Sequence, residues 1–124
     1  MKILAFTLFI LIQTIAAAQD VPKNVEESCS KKFPEATDIE WSLNGSNYEV
    51  NLYQNEQSKS AKFDQTGKWL ETRTNMDEET LPSAVLMGVN ASYPDSYFES
   101  IEKVENNKNE IFYDILVSAE DDYY

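Results

Sequence analysis

The side chains able to do chemistry in this chain are a single cysteine and a scatter of carboxylates, with no histidine among the 124 residues. A nucleophilic thiol needs a base beside it, and Cys29 has no imidazole to serve it. In the internal repeat of this sequence the counterpart of Cys29 is Val89. The position therefore asks for a small apolar side chain, which a buried free cysteine supplies. Glu35, Glu40, Glu49, Asp64 and Glu71 could provide the two carboxyls of a glycosidase. Such a pair must flank a cleft at a set separation, with one pKa raised by burial. Strand alternation instead puts Glu40, Glu49 and Glu71 on a wet face among polar neighbours. A calcium loop with Gly67 as its sixth residue would begin at Lys62 and close at Arg73, where ligand carboxylates belong. Without a triad, a metal cluster or a phosphate loop, the expectation is a protein that is not an enzyme, with no catalytic residues, no metal and no cofactor.

The same alternation turns Tyr53 and Trp69 outward beside Glu40, Glu49, Glu71, Arg73 and Lys62. Exposed aromatics ringed by charge suit recognition, because they bury area at low entropic cost. This group is the candidate interaction surface, facing an unknown protein or peptide partner. The overall charge narrows that partner. With 22 acidic against 10 basic side chains the net charge is −12, and both nucleic acids and anionic membranes demand a basic face.

The elements that must carry this surface are written in a near-repeat. Val21-Pro22 returns 60 residues later as Leu81-Pro82, Phe33-Pro34 as Tyr93-Pro94, and Val25 as Val85. Past a small insertion the offset becomes 65, so that Tyr48-Glu49-Val50 answers Tyr113-Asp114-Ile115 and Leu52 answers Val117. Each unit opens with a proline-led helix of about eleven residues. Val25, Cys29 and Phe33 stripe the first; Val85, Val89 and Tyr93 stripe the second, widened by Leu81 and Leu86. Pro34 and Pro94 stop them.

Period-two stretches follow each helix. In the first unit Ile39, Trp41 and Leu43 point inward, Asn44-Gly45 turns the chain, and Tyr48, Val50 and Leu52 return. A third strand near residues 58–64 brings in Ala61 and Phe63. A fourth near 68–76 directs Leu70, Thr72, Thr74 and Met76 inward and Trp69 outward. The second unit holds one hairpin, residues 97–105 and 110–118. Its first strand is out of phase between Ile101 and Val104, which predicts a bulge or a loose edge. The expected fold is thus α+β, a tandem repeat of the form αββββ-αββ with helices on one face of an antiparallel sheet. The second repeat lacks its last hairpin. Repeat one covers residues 21–76, repeat two 81–118, and an acidic tail 119–124. The unpaired edge left there predicts self-association through edge strands.

Residues 1–18 place Lys2 before the apolar run Ile3 to Ile12 and end in Ala16-Ala17-Ala18. That is the pattern of a secretory signal peptide cleaved between Ala18 and Gln19, and the run is short of the roughly 20 residues that span a bilayer. A secreted or periplasmic protein, free of the membrane after cleavage, is expected. One cysteine allows no internal disulfide, so the fold of residues 19–124 must stand on packing.

Val21, Pro22 and Val25, then Phe33, Pro34 and Ala36, Glu40-Trp41, Tyr48-Glu49-Val50, Lys62-Phe63-Asp64, Gly67-Lys68-Trp69-Leu70-Glu71-Thr72 and Leu81, Pro82 and Val85 form an ordered series. That series resembles the PepSY-like family of secreted proteins, also described as beta-lactamase-inhibitor-like. The resemblance implies helices on one side of a repeated antiparallel sheet and a non-catalytic binding module, peptidase-inhibitor-like or protein-interacting. A structural cell-envelope role is the alternative, and a carboxylate-based hydrolase comes third.

Overall fold

The computed structural model describes residues 20–119. The expected leader with its Ala18/Gln19 cleavage point, and the tail beyond residue 119, lie outside these residues. The element order is α1 (Lys23–Lys32), β1 (Thr37–Asn44), β2 (Asn47–Gln54), β3 (Gln57–Phe63), β4 (Trp69–Asn75), a 3₁₀ turn (Glu78–Thr80), α2 (Ser83–Ser92), β5 (Ser96–Asn106) and β6 (Ile111–Ala119). All six strands join one antiparallel sheet in sequential order, which is the α+β pattern αββββ-αββ.

The repeat is a backbone repeat as well as a sequence one. Pro22 and Pro82 cap their helices at φ/ψ of −54/141° and −56/138°, and Phe33 and Tyr93 close them at −127/69° and −135/67°. Both closing amides donate to the carbonyl four residues back, Phe33 to Cys29 and Tyr93 to Val89, each at 2.8 Å. The packing of the two units differs. α1 buries Val25 and Cys29 against Val50, Leu52, Ala61 and Phe63, with Phe33 completing the cluster, whereas α2 buries no residue.

The turn between β3 and β4 locks the sheet to α1. Asp64 Oδ1 accepts from Thr66 N, Thr66 Oγ1 and Lys68 N at 2.6–3.0 Å. The Thr66 hydroxyl bond above all holds the Asp64 carboxyl below the usual carboxylate range. Asn24 Nδ2 reaches from α1 to Gln65 O at 3.3 Å. Gly67 sits at φ +87°, and a β-carbon there would meet Ser28 Oγ at 2.9 Å and the Asn24 carbonyl at 3.0 Å. The aspartate and glycine of this turn are therefore there for close approach of turn to helix.

Several face assignments change. Lys62 pairs with Glu71, but the next residue, Phe63, pairs with Trp69, so Leu70 is the extra residue of a β-bulge and not an inward one. This shift carries Trp69 onto the helix side of the sheet, contrary to the outward placement that plain alternation predicts. Ile39 and Leu43, expected inside, are 48% and 47% exposed, because β1 is an edge strand bulged between Thr37 and Glu40. The irregularity of β5 falls between Phe98 and Ser100, ahead of the out-of-phase pair. Ile101 and Val104 are both buried while lying on opposite faces, Ile101 opposite Ile115 and Val104 opposite Arg73.

Candidate functional site

The side of the sheet away from α1 is polar from β1 to β4. Following direct cross-strand partners, one row runs Glu40, Asn51, Ser60, Arg73, Val104 and Phe112; the next runs Ser42, Glu49, Lys62, Glu71 and Asn106. A hollow of about 470 Å³ opens on this face, with Glu40, Asn51, Tyr53, Ser60, Arg73 and Glu102 in its lining. Tyr53 is 41% exposed and offers an aromatic face with a polar tip.

Arg73 is the electrostatic centre of the face. Its Nη1 donates to Asp114 Oδ2 at 3.0 Å and lies 3.9 Å from Glu102 Oε1, while Nε donates to Glu71 Oε1 at 3.4 Å. The hydrogen bond to Asp114, and then the charges of Glu71 and Glu102, raise the guanidinium pKa further. Lys62 Nζ reaches Glu71 Oε1 at 3.1 Å. Glu49 accepts from Asn44 Nδ2 at 3.0 Å and Ser60 Oγ at 3.1 Å. Both cations of the group are thus already engaged, and Glu40 stands among the described residues without a hydrogen bond or ion pair of its own. Ion pairs this exposed contribute little to stability, about 0–1 kcal/mol each; their effect is to orient the side chains of the face.

Of the seven side chains singled out from the sequence, the structure gathers Tyr53, Arg73, Glu40, Glu49, Glu71 and Lys62 on this face and separates Trp69 from them. Trp69 packs against the core cluster, donates Nε1–H to Thr72 Oγ1 at 2.8 Å and lies under Lys32 Nζ, 3.5 Å from the ring centroid. Sequence reasoning missed Glu102 and Asp114. Asp114 carried a signal, since it is the repeat counterpart of Glu49; Glu102 carried none, because only the β4–β5 pairing brings it beside Arg73.

The reactive groups are elsewhere or at rest. Burial pushes the Cys29 thiol up to about 11, and the side chain sits in the α1 core. In the unfolded chain the same thiol ionises near pH 8.5. The unfolded state therefore releases its proton first, and stability falls as pH rises from about 9 towards 11. Native protein at pH 8 is expected to resist alkylation until denaturant is added; labelling as fast as that of free cysteine would overturn the burial. Among the described residues no three Cys, Asp or Glu side chains converge as a metal-binding group, and no helix is long and apolar enough to cross a membrane.

Two helices and a six-stranded meander, whose face away from α1 is polar from β1 to β4, define an α+β module built from two tandem units. The family model described as "Putative beta-lactamase-inhibitor-like, PepSY-like" matches residues 13–59 and 46–124, and the chain belongs to that family. Among solved structures it is similar to a DUF2874 family protein from Bacteroides uniformis, with a TM-score of 0.76 at 22% identity over 81% of this chain and 74% of the other. A BLIP-like protein from Bacteroides fragilis gives a TM-score of 0.76 at 23% identity over 85% and 77%. A protein from Bacteroides eggerthii described as "putative periplasmic" gives 0.75 at 21% over 79% and 72%. At these identities the likeness is one of fold. No curated protein matches the chain.

Proposed function

We propose that this protein is a secreted or periplasmic, non-catalytic binding module that docks a protein partner on the open face of its sheet. The observation that carries this is the hollow beside Tyr53 and Glu40, where an exposed aromatic side chain stands next to an uncompensated carboxylate. A rigid sheet presents such groups with little ordering cost on binding. The acidic balance of the chain favours a partner whose contact surface is basic. The family description, beta-lactamase-inhibitor-like, supports a hydrolase as the partner's class, held off by occupation of its cleft.

Affinity capture from the cell-envelope fraction tests the proposal. The wild type is expected to retain a partner that Tyr53→Ala combined with Glu40→Lys releases, the second change reversing the charge that a basic contact needs. Identical retention by both proteins, with both folded, would defeat it.

A further inference from the structure

α2 and the inner side of β6 build the groove that α1 and β2 build in the first unit, filled by β3 in that unit and open, among the described residues, in the other. In the first unit β3 lies beside β2, with Phe63 opposite Tyr48, Ala61 opposite Val50 and Lys59 opposite Leu52, and both Phe63 and Ala61 are fully buried. The 65-residue offset carries Tyr48, Val50 and Leu52 onto Tyr113, Ile115 and Val117 of β6. Among the described residues β6 pairs with β5 alone. Tyr93, the counterpart of buried Phe33, is 57% exposed, and a largely apolar cavity of about 420 Å³ lies between Tyr93, Pro94, Val117 and Ala119.

We propose that the free edge of β6 and the open groove beside α2 take up one extended segment of a partner protein by strand addition. That segment places small and aromatic side chains inward at alternate positions and carries Lys or Arg between them. Backbone pairing along the edge supplies affinity, and the groove supplies the side-chain preference. The groove lies on the helix side of the sheet; the edge also borders the open face through Asp114, which pairs with Arg73 there, but the inference does not rest on that face's function.

Two observations select a basic segment. Neither α2 nor β6 contains Lys or Arg, although lysines are a usual guard on sheet edges, while Asp95 lines the groove and Asp114 stands on β6 itself, on the side of the sheet that faces Arg73. The first unit also shows which chemistry fits. Its own occupant reads Lys59-Ser60-Ala61-Lys62-Phe63, two lysines and no acid, with Lys62 directly opposite Glu49. The counterpart of Glu49 is Asp114, whose side chain is 60% exposed even with Arg73 Nη1 at 3.0 Å, so an incoming segment in the same register sets a second cation beside Asp114. A second copy of this chain would instead bring the same acidic border and a net charge of −12.

A synthetic peptide with the sequence of residues 57–63 is the probe. Saturable binding is expected, with slowed hydrogen exchange along β6. A peptide in which the lysine opposite Asp114 becomes glutamate should bind at least about ten-fold more weakly, worth about 1.4 kcal/mol. Asp114→Lys should reverse that preference, and Val117→Lys should abolish binding of the original peptide while the melting curve stays that of a folded protein. Equal binding of a scrambled peptide, protection confined to β1, or no protection of β6 would overturn the proposal. A dimer whose β6 amides are already protected before peptide is added would also overturn it, giving the edge to a second copy.

Discussion

Phe63→Ala is expected to lower the free energy of unfolding by about 3–5 kcal/mol, the largest effect of any single truncation in this fold. Phe63 heads the fully buried side chains by volume and ties four elements together. It lies opposite Tyr48 of β2 and Trp69 of β4, its ring is 6.1 Å from that of Trp41 in β1, and α1 covers it with Val25 and Cys29. Truncation loses the transfer free energy of the ring and leaves a cavity that these neighbours fill only in part. A domain of this size has about 5–15 kcal/mol in total, and each kcal/mol is worth about 4–8 °C in melting temperature. Leu116→Ala, at a position 55% exposed on β6, is the control and should stay within about 0.5 kcal/mol of wild type. Urea denaturation of the pair decides the matter; a Phe63→Ala midpoint close to that of the control would remove the core from where we place it.

Trp69→Ala is expected to cost about 2–3 kcal/mol, somewhat less than the 3–5 of a fully buried ring because Trp69 is only partly covered. The loss combines ring packing on the α1 cluster, the Lys32 cation over the ring, worth about 0.5–1 kcal/mol at a partly exposed site, and the hydrogen bond to Thr72. Thr72 is 4% exposed, so its hydroxyl loses a donor that water cannot readily replace. Trp69→Phe should recover the packing and forfeit the hydrogen bond. This residue also separates stability from recognition. Trp69→Ala should melt earlier and yet retain whatever the open face captures, while the Tyr53→Ala, Glu40→Lys protein should melt like wild type and lose it. A Trp69→Ala protein with wild-type melting and no capture would return Trp69 to the interaction surface.

Trp69 also shows where strand alternation stops being informative. From Lys68 onward the pattern of Leu70, Thr72 and Thr74 implies an inward face that excludes Trp69, and for Thr72 and Thr74 this holds. One extra residue at Leu70 reverses the parity before it. The bulge shows only in the pairing of β4 with β3, which is a property of the assembled sheet. The open-face group was otherwise legible, because Tyr53, Glu40, Glu49, Lys62, Glu71 and Arg73 lie on stretches whose alternation runs unbroken to their cross-strand partners. Glu102 was not, since its closeness to Arg73 depends on the register between two strands separated by a helix.

The sequence by itself determined the class and order of the elements. Proline-led apolar stripes and period-two stretches specify helix and strand locally, and the repeat transmits them from one unit to the next, down to matching cap angles at Pro22 and Pro82. What the tertiary structure alone decided is how completely each unit closes. Val25 and Val85 stand at the same place after the proline that opens each helix and share the same backbone bond, both amides donating to the proline carbonyl at 3.0 Å, yet one is fully buried and the other only in part. Burial is a property of what lies opposite, and the first helix has a β3–β4 hairpin bearing Phe63 and Trp69 beneath it where the second has, among the described residues, an open groove beside β6.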